Sequence, residues 1–354
     1  GAAVRLVGGC VRDAVLGRPI KDIDLATEDP PDRVLALLDA AGLKSVPTGI
    51  EHGTVTALTV GRHFEVTTLR KDVETFGRHA RVAFTDDWAE DAARRDFTLN
   101  ALYCDLDGTL YDPTGGVDDA RDGTVRFVGD PALRIKEDRL RILRFFRFHA
   151  WFGKGALDEN GLAACRAEAG GVKLLSAERV RVEVLRLLEA PNPAPILEQM
   201  HANGILADVL PEATLFSRLD RTVKIETGLG HSDPVRRLGA VLDADGQGVL
   251  AISDRLRLAN AERDRLVALL DCADAPDPGW SDEHARQTHY RLGDSLFVDV
   301  ALLRWAEGDG ATDAVSLLSF LKVADDWRRP EFPLRGVDAL KLGLPAGPEV
   351  GDAL

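Results

Sequence analysis

Sulfur is scarce in this chain. Its 354 residues hold four cysteines (Cys10, Cys104, Cys165, Cys272) and one methionine, Met200. The cysteines lie far apart, with no Cys-x-x-Cys pair. Neither a thiolate zinc site nor a disulfide framework is therefore indicated, and a reducing, cytoplasmic setting is the default expectation. No apolar run approaches the length of a membrane-spanning helix and no secretory h-region opens the chain, so no membrane partner is expected. The first residue is glycine, which places the expected natural start upstream. Positive charge is short as well. Lys and Arg number 44 against 58 Asp and Glu, a net of −14, which at first sight argues against a nucleic-acid partner. The deficit is uneven. From Arg121 to Gly155 nine basic residues stand against four acids. Such a stripe is the footprint expected for phosphate, with a solvated helix face as the plain alternative.

What is present begins at residue 4. A short apolar run (Val4, Leu6, Val7) feeds Gly8-Gly9-Cys10-Val11-Arg12-Asp13, and nine residues later come Asp22-Ile23-Asp24. Residues two apart in a strand face the same side, so a strand over Asp22–Ala26 would present both carboxylates together. Adjacent carboxylates repel unless a cation sits between them, and a glycine turn offers backbone N–H groups to an anion. Taken singly, Asp-x-Asp is a solvated strand end and Gly-Gly a turn. Joined in this order they point to a divalent metal and a phosphate.

Length suits two to four modules. Roughly the first 128 residues read as mixed α/β. Pro30-Pro31 opens a helix that Gly42 closes, and Thr54–Val60 and His63–Leu69 read as strands joined at Gly61-Arg62. Glu65 then becomes a third acid on a strand able to pair near Asp22 and Asp24. The run 70–84 is poor in apolar residues and rich in Arg, Lys and His, and reads as a basic, mobile loop. Asp86 or Asp87 is placed to cap the next helix, and a hairpin is expected around Asp107-Gly108. Beyond Pro131 the period is helical, with candidate helices over 132–152, 176–189, 193–203 and 254–271. Pro191–Pro195 and Ala273–Gly279 are the candidate boundaries.

Three later segments bear on the chemistry. Arg94-Arg95-Asp96-Phe97-Thr98-Leu99-Asn100-Ala101 suits a triphosphate-facing corner or a helix-end salt-bridge cluster. Asp112-Pro113-Thr114-Gly115-Gly116-Val117-Asp118-Asp119 suits a turn that joins modules. In Glu137–Arg147, a helix would set Asp138, Arg141 and Arg144 along one drifting face with Arg147 beyond. An acid and an arginine one turn apart can pair with the edge of a base, or can form an ordinary surface ion pair.

These strings together resemble the class II tRNA nucleotidyltransferases, the CCA-adding enzymes, which with bacterial poly(A) polymerases belong to the polymerase-β-like nucleotidyltransferases. The likeness covers about residues 4–152. It implies an α+β chain: a polymerase-β-like head with a mixed sheet over 1–128, then an elongated all-α neck (129–192), body (193–275) and tail (276–354). It implies addition of C, C and A to the 3′ end of tRNA from CTP and ATP, with two Mg²⁺ ions and release of pyrophosphate. Asp22 and Asp24 match the metal ligands, and Glu65 the third carboxylate. Gly8, Gly9 and Arg12 match the triphosphate contacts, and Arg95 a nucleotide-contacting arginine. Asp138 and Arg141 match the pair that reads the base, with Arg144 and Arg147 on sugar or phosphate. The stretch 70–84 matches a flexible loop needed for the terminal A. A poly(A) polymerase, an A-only enzyme and a catalytically silent RNA-binding protein are the rivals, and oligomeric state is open.

Overall fold

The computed structural model describes residues 2–76, 79–273, 280–308 and 335–352, with isolated positions between 317 and 333. The head is built on a seven-stranded mixed sheet. Its strands are β1 (Val4–Val7), β2 (Asp24–Thr27), β3 (Lys44–Gly49), β4 (Thr54–Thr59), β5 (Arg62–Thr68), β8 (Tyr103–Cys104) and β9 (Leu110–Tyr111), in the order β3-β4-β5-β2-β1-β8-β9. Only β2 and β5 run parallel, and their register sets Asp24 beside Glu65. The remaining pairs are antiparallel. Neighbouring residues across a ladder share a face, so the second acidic strand brings its carboxylate to the first, as the sequence pattern requires.

Local rules explain the head helices. α1 (Gly9–Val15) follows Gly8, whose φ of 72° lies in the left-handed region that glycine adopts without a Cβ clash. α2 (Pro31–Ala40) has proline at its first turn. Asp87 caps α3 (Trp88–Ala93) by accepting the N–H groups of Ala89 and Glu90. α4 (Gly116–Asp122) starts from Asp112, whose carboxylate accepts from Thr114, Gly116 and Val117. A Cβ on Gly116 would stand 2.0 Å from the Thr98 carbonyl. That closeness locks the turn onto residues 98–100.

The helical remainder comprises α5 (Pro131–Glu137), α6 (Leu140–Phe152), α7 (Glu159–Ala167), α8 (Ala177–Leu188), α9 (Ala194–Ala202), α10 (Phe216–Leu229), α11 (Pro234–Val241), α12 (Gly246–Leu256), α13 (Asn260–Leu270), α14 (Asp282–Leu292) and α15 (Asp294–Glu307), with shorter helices over 336–341 and 348–352. One apolar core runs from Phe97 and Phe127 through Phe145, Leu188, Leu197 and Leu238 to Val300. It crosses residues 128 and 192 without a break. Stacked and tilted rings weld head to neck: Phe97 lies 4.9 Å from Phe127 and 5.2 Å from Phe148, and Phe127 lies 5.5 Å from Phe145. Among the described residues no helix is long and apolar enough to cross a membrane. All four cysteines are free thiols.

Four local expectations change. Within the stretch 70–84, the described residues are not a loop but two antiparallel strands, β6 (Arg70–Phe76) and β7 (His79–Phe84), forming a sheet of their own. The ladder runs from Arg70 opposite Phe84 to Phe76 opposite His79, with a register shift between Asp72 and Glu74, and the weight of charge in the segment obscured it. The expected helix 132–152 is two helices, because Asp138 is extended (φ −148°, ψ 106°) and its side chain accepts the Leu140 N–H. An aspartate that bonds nearby backbone competes with the helix ladder. The expected 254–271 helix is likewise split between α12 and α13, at Arg257 with φ 53°. Strand β2 begins at Asp24, so Asp22 lies in the approach to it. The boundary expected at Ala273–Gly279 falls almost wholly outside the described residues.

Candidate active site

A cleft of about 410 Å³ opens where the head meets the neck. The glycine turn forms one wall. β1 delivers Gly8 and Gly9 to it, and a Cβ on Gly8 would stand 3.5 Å from the Arg95 guanidinium. Arg12, one turn into α1, lines the same wall and is nearly buried. Its guanidinium donates to Asn100 (2.7 Å) and Asp13 (2.9 Å) and lies 3.9 Å from the centre of the Phe152 ring. Burial lowers its pKa, partly offset by Asp13.

The opposite corner comes from the turn after α3. Arg94, Arg95, Asp96 and Asn100 all line the cleft. Asp96 is held from three sides: it accepts from Arg144 Nε (2.8 Å), from Asn100 (3.1 Å) and from the Phe97 N–H (2.8 Å). Burial alone would raise its pKa, but Arg144 and these hydrogen bonds hold it below the usual carboxylate range. The neck supplies the third wall with Asp138, Arg141, Arg144 and Phe148.

The acids at the mouth behave differently. Asp24 lines the cleft, is open to solvent on one side, and has its pKa raised by partial burial, then by the charges of Glu65 and Asp22. Among the described residues Asp22, Asp24 and Glu65 form no ion pair. Nor does any group of three His, Cys, Asp or Glu side chains converge there as a complete ligand set. Hard oxygen donors with unrelieved mutual repulsion fit Mg²⁺, which takes few protein ligands and keeps several waters.

The neck pair is more tightly held than a solvated helix face. Arg141 donates to Glu137, to the Arg134 carbonyl (2.7 Å) and to the Arg94 carbonyl (3.3 Å). Asp138 accepts from Arg179 Nη2 at 2.6 Å and Nη1 at 3.2 Å. Arg179 stands 41 residues downstream on α8, and no local pattern in the sequence linked it to Asp138.

The cleft gathers Gly8, Gly9, Arg12, Asp24, Arg95, Asp138, Arg141 and Arg144. Asp22 and Glu65 reach it through their charge on Asp24, and neither is a lining residue. Arg147 is not brought there. It is buried against α8, donating to Glu183, with its guanidinium 4.3 Å from the Phe148 ring centre. Each step of three residues falls roughly 60° short of a full helical turn, so by Arg147 the face has rotated off the cleft. Arg94, Asp96, Asn100 and Phe148 line it without having been singled out as site residues. The first three were visible inside the Arg-Arg-Asp string.

A larger cavity of about 690 Å³ lies in the helical remainder. Its arginines are already paired: Arg236 with Glu226 and Asp299, and Arg265 with Asp233 and Asp299. The smaller cleft sets the Asp24 carboxylate, which has no ion pair among the described residues, beside the head arginines Arg12, Arg94 and Arg95.

Known proteins resemble this chain both in sequence and in fold. The model of the poly A polymerase head domain matches residues 4–126, and that of a probable RNA and SrmB-binding site of polymerase A matches 156–216. The chain is 34% identical over 362 residues to the zebrafish (Danio rerio) mitochondrial CCA tRNA nucleotidyltransferase 1, across 99% of this chain and 81% of that protein. It is 41% identical over 208 residues to a CCA-adding enzyme of Streptococcus gordonii, across 58% of this chain and 51% of the relative. The crystal structure of the Bacillus stearothermophilus CCA-adding enzyme with CTP superposes with a TM-score of 0.78 at 29% identity, covering all of this chain and 87% of that one.

Proposed function

This chain belongs to the family of CCA-adding tRNA nucleotidyltransferases, and from that premise we propose how its cleft works. The enzyme adds C, C and A to the 3′ end of tRNA from CTP and ATP without a nucleic-acid template, and pyrophosphate leaves. The observation that carries the reading is that head and neck line one cleft, with Asp24 and the arginines Arg12, Arg94 and Arg95 on the head side and Asp138 and Arg141 on the neck side.

Asp22 and Asp24 would hold Mg²⁺, with Glu65 beside them. When bound, the metal supplies Lewis acidity toward the primer 3′-hydroxyl and the leaving phosphates. Arg12 and Arg95 bind the triphosphate through charge-assisted hydrogen bonds. Arg12 is preset by Asn100 and the Phe152 ring, so little side-chain freedom is lost on binding. Asp138 and Arg141 read the base. Cytosine and adenine both present an amino donor beside a ring-nitrogen acceptor on the pairing edge. Uracil and guanine present a carbonyl acceptor beside an N–H donor. A carboxylate next to a guanidinium is therefore complementary to C and A and mismatched to U and G. The β6–β7 hairpin is the candidate for refitting the cleft from C to A. It is rooted on α3, where Lys71 (3.2 Å) and Thr85 (2.6 Å) donate to Glu90.

We place the chain in the cytoplasm on its four free thiols; the zebrafish relative is named as mitochondrial. The deciding experiment is to sequence the 3′ ends made from tRNA lacking CCA, with CTP and ATP supplied singly and together. The expected product ends in CCA. A run of A, or a single A added only to tRNA already ending in CC, would assign the poly(A) or A-only activity instead.

A further inference from the structure

Asp91 lies in none of the motifs and is not a lining residue of the cleft, yet it is 1% exposed. It sits on α3, three and four residues before the two arginines that do line the cleft. Its two oxygens are fully engaged. Oδ1 accepts from Arg94 Nε (2.8 Å) and from the Arg70 N–H (3.2 Å), at the root of the β6–β7 hairpin. Oδ2 accepts from Arg95 Nη2 (3.0 Å) and Nε (3.3 Å), and from the Tyr103 hydroxyl (2.7 Å). An ionised carboxylate has about four lone-pair positions, so nothing more fits on it. Burial works against ionisation, but Arg95, Arg94 and Tyr103 outweigh it and hold the pKa at about 2. Tyr103 is itself fixed in the core, edge-on to Trp88 at 5.3 Å.

The geometry decides which guanidinium atoms remain. Arg94 and Arg95 each turn Nε and Nη2 toward Asp91. Among the described residues neither Nη1 has a hydrogen-bond partner, and Arg95 Nη1 lies beside Gly8 on the cleft wall. Two adjacent arginines repel, and each has a long, rotatable stem that must be ordered when it grips a ligand. A carboxylate that neutralises the pair and fixes both stems removes those costs in advance.

We propose that Asp91 is a positioning residue for nucleotide binding: a buried carboxylate that clamps Arg94 and Arg95 side by side so that both free guanidinium edges face the triphosphate. The proposal rests on the reading of Arg95 as a triphosphate contact. Tyr103 locks the clamp from the sheet, and the hairpin root shares the same anchor.

The test is steady-state kinetics of the full chain with CTP and ATP, with inorganic tripolyphosphate as a competitive inhibitor and tRNA affinity measured alongside. Asp91→Asn is expected to raise KM for both nucleotides and Ki for tripolyphosphate about tenfold, the loss of roughly one charge-assisted contact. kcat should fall by less than KM rises, and tRNA affinity should hold. Tyr103→Phe, which removes one hydroxyl and keeps the packing, should move KM and Ki the same way by about threefold, and it supplies the answer if Asp91→Asn fails to fold. Arg95→Ala separates the two readings. If it raises KM and Ki while Tyr103→Phe and any folded Asp91→Asn leave both unchanged, the clamp is wrong and the triphosphate contact stands. If Arg95→Ala itself leaves tripolyphosphate Ki unchanged, both fall together.

Discussion

The cleft mouth and the body of the helical remainder both collect carboxylates, and they treat them in opposite ways. In the body, Glu226 is fully buried and accepts from Arg236 (2.7 Å) and from Arg237. Asp299, also buried, takes Arg236 (2.8 Å) and Arg265 (2.7 Å). Arg237 also caps the end of α8 by donating to the Leu188 (2.6 Å) and Ala190 (2.8 Å) carbonyls. Both of these buried carboxylates are neutralised by arginines, and the network ties α8, α10, α11, α13 and α15 together. At the mouth, Asp22, Asp24 and Glu65 are exposed, and Asp24 is made harder to ionise by partial burial and then by its acidic neighbours. A fold that only stabilised itself would pair these acids too. Leaving them unpaired costs stability, and the arrangement is expected where a cation arrives with substrate.

The sharpest way to break this contrast is at the mouth. Asp22→Ala combined with Asp24→Ala is expected to cut nucleotide incorporation by about a thousandfold or more, the loss of several kcal/mol of charge stabilisation. tRNA affinity, read by filter binding, should stay within about twofold, because the removed groups carry the wrong sign for phosphate. Retained incorporation would put the acids on the same footing as the body network. Glu226→Gln is the counterpart. Among the described residues it takes the only carboxylate from buried Arg237 and leaves Arg236 with Asp299 alone. It should cost about 3–5 kcal/mol of stability, and should lower the melting temperature by many degrees in calorimetry, with discrimination among the four nucleotides unchanged.

Between these lies Arg141→Ala, which should reduce discrimination of CTP and ATP against UTP and GTP by about ten- to a hundredfold, the worth of one bidentate base contact. Equal losses for all four nucleotides would make Arg141 a structural strap between Glu137 and the Arg94 carbonyl. The smallest effect is the most diagnostic. The pKa of Asp24 is raised, so folding disfavours its ionised form. The penalty is absent below the unfolded value near pH 4 and sets in as pH rises through the folded pKa. Asp24→Asn should therefore raise the melting temperature slightly at pH 7, by about a degree or two, in the absence of divalent cations. The gain should vanish toward pH 4. A loss of stability would mean that Asp24 is held like Glu226.

Much of the head was legible because its signals are local. The glycine turn, the proline-opened α2, the Asp87 cap and the β4–β5 pair all follow from residues within a turn or two of one another. Where local signals competed, the reading failed. Charge hid the strands over 70–76 and 79–84. Asp138 sat inside a helical pattern but used its side chain to break it. Arg147 kept the spacing of Arg144, yet the helix had turned it toward Glu183. Asp91 was within reach, since its spacing to Arg94 and Arg95 is that of helical ion pairs. Its meaning depended on Tyr103, which arrives from a strand of the sheet.

By itself the sequence determined which chemical groups are available and in what local order: two acids flanking Ile23, a glycine turn with Arg12, an arginine pair, and an acid and arginine at the start of the neck. Those follow from covalent spacing and short-range backbone preference. Only the tertiary structure decided which of the many carboxylates would be neutralised. Parallel pairing of β2 with β5 set Glu65 beside Asp24. The packing of α8 on α6 gave Asp138 to Arg179 and Arg147 to Glu183. The crossing of α10, α11 and α15 closed the network around Glu226 and Asp299. Pairing of charges is a matter of a few ångströms between residues distant in the chain, and no period or motif along one segment encodes that distance.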